Sequence, residues 1–193
     1  MSRAILLPAA GASSRMRGRD KLLEQVDGVS LLRRSALRAK ATGAAVAVTL
    51  PVGSPRRDAL DGLDLTLLEL DATEGMAASL RAGAAWALQT GAQALMIALP
   101  DMPDITTQDM QALFDRQTKT PDTPLRAATD DGQPGHPVIL PRKVLAKLSG
   151  LQGDAGARAI LKDHPPQLHP LPGQRALTDL DTPEAWAAWR AEN

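Results

Sequence analysis

Four short segments of this 193-residue chain have the length of β-strands and are apolar almost throughout. A strand with one exposed face alternates apolar and polar residues, whereas a strand covered on both faces is continuously apolar. The continuous runs therefore predict a parallel sheet with helices on both sides. The four predicted strands are Arg3–Ala10, Ala44–Leu50, Leu63–Leu70 and Ala94–Leu99.

Segments with helical spacing separate these strands. In the longest of them, Met76, Leu80 and Ala84 fall on one helical face. Alternation of buried strands with helices is typical of α/β proteins. We therefore predict an α/β fold, a three-layer α/β/α sandwich around a Rossmann-like, mostly parallel sheet. The predicted helical segments are Ser30–Thr42, Pro55–Leu60, Gly75–Thr90 and a helix from Thr106 to Thr118 that opens on a capping box with Asp109.

The pattern changes after Thr120, where turn residues become more frequent. We predict a single domain over residues 1–193, in which residues 121–193 complete the sheet and build one wall of a cleft. No strand is predicted in the proline-rich stretch His164–Pro172. The elements predicted in this second part are strands at Leu125–Thr129, Pro137–Leu140 and Arg175–Leu180, helices near Arg142–Leu148 and Gly156–Lys162, and a final helix from Pro183.

Composition excludes several classes of function. Lys+Arg and Asp+Glu both number 22, so no general attraction to nucleic acid or to a membrane surface is expected. The absence of cysteine excludes disulfides, thiolate metal sites and cysteine nucleophiles. No apolar run approaches the ~18 residues of a membrane span, and the N-terminus lacks a signal-peptide pattern. We therefore expect a cytoplasmic protein in which any anion site is local.

A flexible basic loop follows the first predicted strand. In open α/β sheets, ligands bind beyond the carboxyl ends of the strands. The loop lacks the second glycine of a dinucleotide fingerprint, and Lys21 is not followed by the Ser or Thr of a Walker loop. A solvated loop is the alternative to an anion site, but ordering a basic loop without a ligand is costly. The small residues that let the backbone approach a ligand are Ala9, Ala10 and Gly11, and the basic residues are Arg15, Arg17, Arg19 and Lys21.

The stretch LPAAGASSRMRGRDKLL resembles the signature G-x-S-x-R-M-G-x-x-K of the nucleotidyltransferase superfamily. The resemblance implies a fold of the nucleotide-diphospho-sugar transferase type and places Arg15 and Lys21 at a nucleoside triphosphate. One extra residue leaves open whether Arg17 or Gly18 takes the place of the second glycine of the signature, and whether Arg17 or Arg19 faces the ligand. The matching residues are Gly11, Ser13, Arg15, Met16 and Lys21.

A carboxylate follows the last of the four apolar strands, in ALMIALPDMPDI. Asp101 is expected at the same sheet edge as the basic loop. Because Mg²⁺ prefers one or two carboxylates together with phosphate oxygens, Asp101 is a natural metal ligand beside a triphosphate. A turn-forming role is the alternative, and Asp104 suits that role better. In the resembling family the aspartate of the DMP segment binds the metal, which implies Asp101 here.

The segment LTDLDTPEAW carries Asp179 and Asp181, which would point to the same face of the predicted strand. Asp181 could instead be the N-cap of the final helix, with Glu184 reaching back. The sequence alone leaves the cap and the metal ligand as equal alternatives. The similar D-x-D-T-P-E segment of the family is associated with a second metal contact, which implies Asp181 as a second Mg²⁺ ligand and leaves Asp179 open.

Three further segments supply candidate contacts. The helix that begins in TEGMAASLRAG could present its first N–H groups to a nucleotide or be an ordinary packed helix. His136 is either a substrate contact or structural. Asp154 is placed to be an N-cap where phosphate could bind, with Arg158 assisting. The similar segment of the family lines the nucleotide pocket, which implies Gly75, Met76 and Ser79 as nucleotide contacts. With the loop, the candidate nucleotide contacts are Ala9, Ala10, Gly11, Ser13, Lys21, Gly75, Met76 and Ser79, and the candidate acceptor contacts are His136, Asp154 and Arg158.

The segments PGHPVIL, GDAGAR and DLDTPE together resemble the molybdenum cofactor cytidylyltransferase group. Ala10 stands where guanylyltransferase relatives tend to carry glycine. The resemblance implies CTP and a molybdopterin-type acceptor as substrates, Mg²⁺ as cofactor, and a recipient molybdoenzyme or its chaperone as a partner. Residues 1–120 would then form a nucleotide-binding half, and residues 121–193 the acceptor-binding part.

Three alternatives stay open. The chain could transfer a guanylyl group to molybdopterin, or a nucleotidyl group to a sugar or polyol phosphate such as methylerythritol phosphate. It could also be a non-catalytic chaperone that binds nucleotide and cofactor. If the protein is one of these transferases, the phosphate of the acceptor is already ionised at neutral pH, so the reaction requires no general base.

Overall fold

The computed structural model describes residues 2–71, 75–152 and 158–192. The described strands are β1 (Arg3–Pro8), β2 (Gln25–Val26), β3 (Val29–Ser30), β4 (Ala45–Pro51), β5 (Thr66–Leu70), β6 (Ala94–Ile97), β7 (Leu125–Ala128), β8 (Pro134–Pro141) and β9 (Gln167–Pro170). The α-helices are α1 (Leu31–Lys40), α2 (Gly75–Gln89), α3 (Thr107–Lys119), α4 (Arg142–Leu145), α5 (Arg158–Asp163) and α6 (Pro183–Glu192). Short 3₁₀ helices lie at Ser14–Met16, Pro55–Leu60 and Ala146–Gly150. Within these ranges, no helix combines the length and apolar content needed to span a bilayer.

A seven-stranded sheet forms the middle of the molecule, in the order β5-β4-β1-β6-β8-β7-β9. Neighbouring strands run parallel except at β8, which is antiparallel to both β6 and β7. The other six strands therefore point their carboxyl ends toward one edge of the sheet. The predicted α/β fold with a mostly parallel sheet is confirmed.

Apolar side chains from the sheet pack on both of its faces. Ile5 and Leu7 of β1 belong to a buried cluster with residues of α1 and α3. Ala4 and Leu6 of the same strand belong to a second cluster with residues of α2, α4 and α5. Because successive side chains of a strand point to opposite faces, a strand buried on both sides must be apolar at every position. The continuous apolar runs of the sequence therefore correspond to a three-layer sandwich.

Local signals fix several helix ends. The Thr106 hydroxyl accepts a hydrogen bond from the Asp109 N–H, and the Asp109 carboxylate accepts one from the Thr106 N–H, so α3 opens with the predicted capping box. Ser30 caps α1 in a similar way by accepting from the Arg33 N–H. Each cap satisfies backbone donors that a helix start otherwise leaves unpaired.

The predicted strand at Arg175–Leu180 is wrong. The N–H groups of Leu177 and Thr178 donate to the Gln174 carbonyl at 2.8 and 3.0 Å, so this segment forms a turn. The last strand is instead β9, which lies in the proline-rich stretch and pairs in parallel with β7. Proline is tolerated there because β9 is at the edge of the sheet, where one row of backbone groups needs no partner.

A third, smaller cluster of buried side chains joins the N-terminal loop to the C-terminal helix. Met16, which lies in the basic loop, is fully buried against Leu180 and Trp186. Burial of a methionine side chain contributes roughly 1.5–3 kcal/mol. Met16 therefore anchors an otherwise exposed loop and holds it beside the segment that carries Asp181.

The contact between β8 and the Gln174–Leu180 turn gives a test of this arrangement. A Cβ added at Gly135 would lie 1.8 Å from the carbonyl oxygen of Ala176, so the backbone must move apart. We expect Gly135→Ala to lower the free energy of unfolding by about 2 kcal/mol, measured by urea denaturation. The matched control is Gly150→Ala, where an added Cβ meets no atom within 4 Å. Equal stability of the two variants would contradict this account of the contact.

Candidate active site

The basic loop turns sharply at residues with left-handed backbone conformation. Ser13 and Arg17 have φ values of 50° and 53°, and Gly18 has a φ of 87°. A glycine adopts this region without the cost that other residues incur. The structure thus puts both candidates for the second glycine of the signature, Arg17 and Gly18, at the turn. Between these turns, Met16 points into the core and Arg15 lies on the exposed side.

One lysine joins two carboxylates at the carboxyl edge of the sheet. The Lys21 ammonium donates to Asp101 Oδ2 and to Asp181 Oδ1, and Arg15 donates to Asp181 Oδ2. Asp101 is placed by the turn after β6, and Asp181 by the turn before α6. The Leu180 N–H donates to the Asp101 carbonyl at 3.0 Å, which holds these two turns together. The structure therefore brings together the four charged residues that the sequence assigned to the triphosphate and metal. We call Lys21, Asp101, Asp181 and Arg15 the ion cluster.

Three of the four side chains of the ion cluster are largely shielded from water, whereas Arg15 is 68% exposed. The side chains of Lys21, Asp101 and Asp181 are 17%, 13% and 15% exposed. Burial disfavours a charged lysine, but the carboxylates of Asp101 and Asp181 outweigh it and raise the pKa of Lys21. Lys21 therefore stays protonated at neutral pH.

Asp181 is not the cap of the final helix. The Thr182 hydroxyl accepts a hydrogen bond from the Ala185 N–H at 3.1 Å, so Thr182 performs that function. Asp181 is thereby free to face Lys21 and Arg15. The prediction that Asp179 lies on a strand is wrong, because Asp179 lies in the irregular segment between the turn at Gln174–Thr178 and α6. Burial, followed by the negative charges of Asp181 and Asp101, raises the pKa of Asp179, so a third carboxylate lies within electrostatic reach of the ion cluster.

The cluster has the donor atoms for a divalent cation. Asp101 Oδ1 is buried and has no hydrogen-bond partner among the described residues. An unpartnered buried carboxylate oxygen is costly unless something binds it. The described residues contain no group of three or more His, Asp or Glu side chains that could hold a metal alone. Two carboxylates completed by phosphate oxygens are the usual ligands of Mg²⁺ at phosphate-transfer sites, and Asp101 and Asp181 fit that arrangement.

A cavity of about 470 Å³ borders the cluster through Asp179. Its volume is typical of small-molecule sites, which span roughly 300–1,000 Å³. Its walls are mainly apolar, from β6, β8 and α2, and Met76, His136 and Arg158 also line it. Arg126 of β7 lines it too, although nothing in the sequence around Arg126 indicated a site.

Basic side chains lie on one wall of this cavity. Arg126 is held by the carbonyls of Gly135 and Pro134 at 2.8 and 3.2 Å. Burial, with the nearby Arg126 charge as the next cause, lowers the pKa of His136 to about 4. His136 is therefore neutral at pH 7, and its buried Nδ1 has no hydrogen-bond partner among the described residues. The wall thus offers two guanidinium groups and an uncharged imidazole.

The small-residue part of the loop is partly engaged within the protein. The Ala9 N–H donates to the Thr49 carbonyl at 3.0 Å, and the buried Thr49 hydroxyl donates to Ser79 Oγ at 3.0 Å. Ser79 is therefore buried beneath the loop, supporting it through Thr49. By contrast, the N–H groups of Ala10, Gly11 and Ala12 have no acceptor among the described residues. Those three amides are available to a ligand.

Besides Arg126, sequence reasoning missed Arg56 at this site. Arg56 donates to both carboxylate oxygens of Asp20, at 2.6 and 2.9 Å, and to the Ala9 carbonyl at 2.5 Å. Its partners lie 36 to 47 residues away in the chain. No local pattern marks such a contact, so only the folded structure identifies it.

The remaining candidates are distributed as follows. Arg17 pairs with Glu184 at 2.5 Å and is 74% exposed, and Arg19 pairs with Glu24. Asp104 accepts a hydrogen bond from the Trp189 indole at 2.8 Å, which suits the predicted structural role. Gly75 begins α2 with a φ of 66°. Asp154 lies outside the described residues.

A larger open groove of about 830 Å³ lies between α1 and α6. Its arginines are mostly paired, since Arg34 contacts Asp27 and Arg175 contacts Asp109. The predicted nucleotide, metal and acceptor residues do not line it. The smaller cavity, which adjoins the ion cluster, is therefore the better candidate for substrate.

Comparison with solved structures identifies close relatives of this fold. The Mycobacterium tuberculosis protein Rv0371c is 25% identical, with a TM-score of 0.83 over 97% of this chain and 96% of that chain. A crystal structure of a complex of Rv0371c with manganese also matches. A nucleotidyl transferase from Methanothermobacter is 18% identical, with a TM-score of 0.79 over 99% of this chain and 97% of its own.

CMP:2-keto-3-deoxy-manno-octonic acid synthetase, in a structure complexed with CTP, shares the fold at 16% identity. Its TM-score is 0.76 over 100% of this chain and 98% of that chain. The predicted fold of the nucleotide-diphospho-sugar transferase type is thus confirmed. A search of curated proteins by sequence finds no match.

A comparison with protein families matches residues 4–169 to the MobA-like NTP transferase domain. This match covers most of the chain, including the basic loop, Asp101 and the strands that carry Arg126 and His136. The protein therefore belongs to the MobA-like NTP transferase family and is an enzyme of the nucleotidyltransferase type.

Proposed function

We propose that this protein transfers a cytidylyl group from CTP to the terminal phosphate of a molybdopterin-type acceptor and releases pyrophosphate. The observation that carries the proposal is the ion cluster next to the largely apolar cavity. The cluster supplies groups for a triphosphate and a cation, and the cavity supplies room for a second substrate. Residues 1–120 would bind the nucleotide, and residues 121–193 would bind the acceptor.

In this proposal Arg15 and Lys21 bind the triphosphate. Both side chains are cationic and already lie at the carboxyl edge of the sheet. The free N–H groups of Ala10, Gly11 and Ala12 can donate to the nucleotide at the same edge. When phosphates enter, Arg15 and Lys21 exchange their carboxylate partners for phosphate oxygens, and the free N–H groups gain acceptors.

Asp101 and Asp181 would hold the divalent cation, which we propose is Mg²⁺. A cation bound there would neutralise charge on the phosphates and so favour departure of pyrophosphate. The structure of Rv0371c with manganese supports a divalent ion in a protein of this fold. The partnerless Oδ1 of Asp101 supports it in this chain.

The reaction itself needs alignment more than acid–base chemistry. An oxygen of the acceptor phosphate forms a bond to the α-phosphorus of CTP, and the bond from that phosphorus to the bridging oxygen breaks. The electron pair leaves with pyrophosphate. Because the attacking phosphate is already ionised, Lys21 and Arg15 act by orienting phosphates and balancing charge.

The cavity suits an acceptor with a flat heterocyclic body. Apolar side chains line most of it, while two guanidinium groups, the His136 imidazole and the Asp179 carboxylate can contact ring nitrogens and oxygens. His136, Arg158 and Arg126 would contact the acceptor, and Asp154 is proposed to assist. The product would pass to a recipient molybdoenzyme or its chaperone.

The first prediction of the proposed function concerns substrates. With Mg²⁺, CTP and molybdopterin, the purified protein is expected to release pyrophosphate, because both substrates fit the proposed site. The assay tests each nucleoside triphosphate against molybdopterin, methylerythritol phosphate and a sugar phosphate, with pyrophosphate measured. If only GTP supports activity, the transferred group is guanylyl and not cytidylyl. If a polyol phosphate is the preferred acceptor, the proposed molybdopterin acceptor is wrong. If CTP binds without turnover, the protein is a non-catalytic binder.

The second prediction concerns the ion cluster. Lys21→Ala and Asp101→Asn are each expected to lower kcat by roughly 10²–10³-fold. Lys21→Ala removes a preorganised positive charge from the phosphates, and Asp101→Asn removes a carboxylate ligand of the cation. Steady-state pyrophosphate release measures the effect. Lys40→Ala and Asp64→Asn are matched controls, since that pair lies 3.0 Å apart on the surface, remote from the site. Wild-type rates in the cluster variants would contradict these roles.

The third prediction concerns the metal site in the absence of nucleotide. Lys21 occupies both carboxylates, so it competes with any added cation. Lys21→Met is therefore expected to bind free Mn²⁺ about tenfold more tightly than wild type, a gain of about 1.4 kcal/mol. Electron paramagnetic resonance of unbound Mn²⁺ measures the affinity. Asp101→Asn should weaken binding, and unchanged affinity in Lys21→Met would exclude competition at these carboxylates.

A further inference from the structure

Arg56 is a buried cation whose side chain serves the basic loop. The side chain is 4% exposed. Beyond its two bonds to Asp20 and its bond to the Ala9 carbonyl, Nη2 donates to Ser13 Oγ at 3.0 Å. All of these partners lie between Ala9 and Asp20, so one guanidinium joins the beginning, the middle and the end of the loop.

The backbone that carries Arg56 is itself well fixed. Arg56 lies on the 3₁₀ helix Pro55–Leu60, which follows β4, and the Ser54 hydroxyl accepts from its N–H at 3.3 Å. Arg33 of α1 donates to the carbonyls of Ala59 and Asp61 at 3.0 and 2.9 Å. The guanidinium therefore reaches the loop from a platform attached to both the sheet and α1.

The loop requires such an anchor for its shape. Ser13 and Arg17 adopt left-handed backbone conformations that cost of order 1–3 kcal/mol each in residues other than glycine. Hydrogen bonds between a guanidinium and both oxygens of a carboxylate are among the stronger ones in proteins, and burial strengthens them. Asp20 directly precedes Lys21, so the pair fixes the backbone from which Lys21 enters the ion cluster.

We propose that Arg56, acting through Asp20, is a positioning residue that sets the loop conformation in which Arg15 and Lys21 receive the nucleotide. The part about nucleotide rests on the proposed function; the part about loop order does not. Arg56 itself does not contact phosphate, because its donors Nε, Nη1 and Nη2 are already engaged and the side chain is buried. It acts on the ligand by holding the loop.

The experiment uses Arg56→Met, Arg56→Lys and Asp20→Asn in the full chain. Hydrogen exchange of residues 9–22 measures loop order, calorimetry with CTP and Mg²⁺ measures affinity, and thermal unfolding measures stability. We expect Arg56→Met to exchange faster in this segment and to bind CTP at least tenfold more weakly. Arg56→Lys should restore part of the affinity, since an ammonium can replace some but not all of the four bonds.

A double variant and a control separate positioning from stability. Arg56→Met combined with Asp20→Asn should lose little more affinity than Arg56→Met alone, because both remove the same pair. The control is Arg142→Met, since Arg142 also donates to backbone carbonyls, those of Leu88 and Ala92, outside the loop. It is expected to lower stability and leave CTP affinity within about twofold.

The outcomes distinguish the two proposals. Unchanged exchange of residues 9–22 in Arg56→Met would overturn the inference whatever the ligand. If wild type binds CTP and Arg56→Met binds it equally well, the inference is also overturned while the proposed function stands. If wild type binds no nucleotide, the proposed function fails, and faster exchange in Arg56→Met still supports Arg56 as the residue that orders the loop.

Discussion

The ion pairing of Lys21 with Asp101 and Asp181 is the interaction on which the site depends. It joins three segments that are far apart in the chain: the loop after β1, the turn after β6 and the turn before α6. A buried charge without a partner is costly, so each segment needs the other two in place. The apolar contact of Met16 with Trp186 and the backbone bond between Leu180 and Asp101 support the same geometry from either side.

This arrangement also explains how a chain of zero net charge could hold the polyanion of the proposed reaction. The two positive charges of the cluster are balanced locally by two carboxylates, so the cluster is electrically neutral in the free protein. In the proposed reaction, phosphates take over Lys21 and Arg15, while the cation takes over Asp101 and Asp181. The basic side chains and the carboxylates would thus each replace a protein partner with a ligand of opposite charge within the same site. The affinity for nucleotide and the affinity for cation are then coupled, because neither ligand alone leaves every group paired.

Sequence reasoning succeeded where the cause is local. Continuous apolar runs predicted the buried strands, and Thr106 with Asp109 predicted a helix start that the structure confirms. It failed where long-range contacts decide. The proline-rich segment can form strand β9 because it lies at the edge of the sheet. The Arg175–Leu180 segment, predicted to be a strand, instead forms a turn against β8. Arg56 acquires its importance from partners more than thirty residues away, which no periodicity records. The hairpin of β2 and β3 around Asp27-Gly28 was a missed signal, since Asp-Gly favours such turns.

The reversal of one strand explains how both halves of the chain meet at one site. Because β8 is antiparallel to β6, with Ile97 opposite Val138, its beginning lies beside the carboxyl end of β6. His136 is therefore brought to the edge where Asp101 emerges. Arg126, opposite Val138 on β7, follows from the same register. A parallel strand at this position would have presented its carboxyl end there instead. The antiparallel strand thus places the acceptor side of the proposed reaction next to the ion cluster.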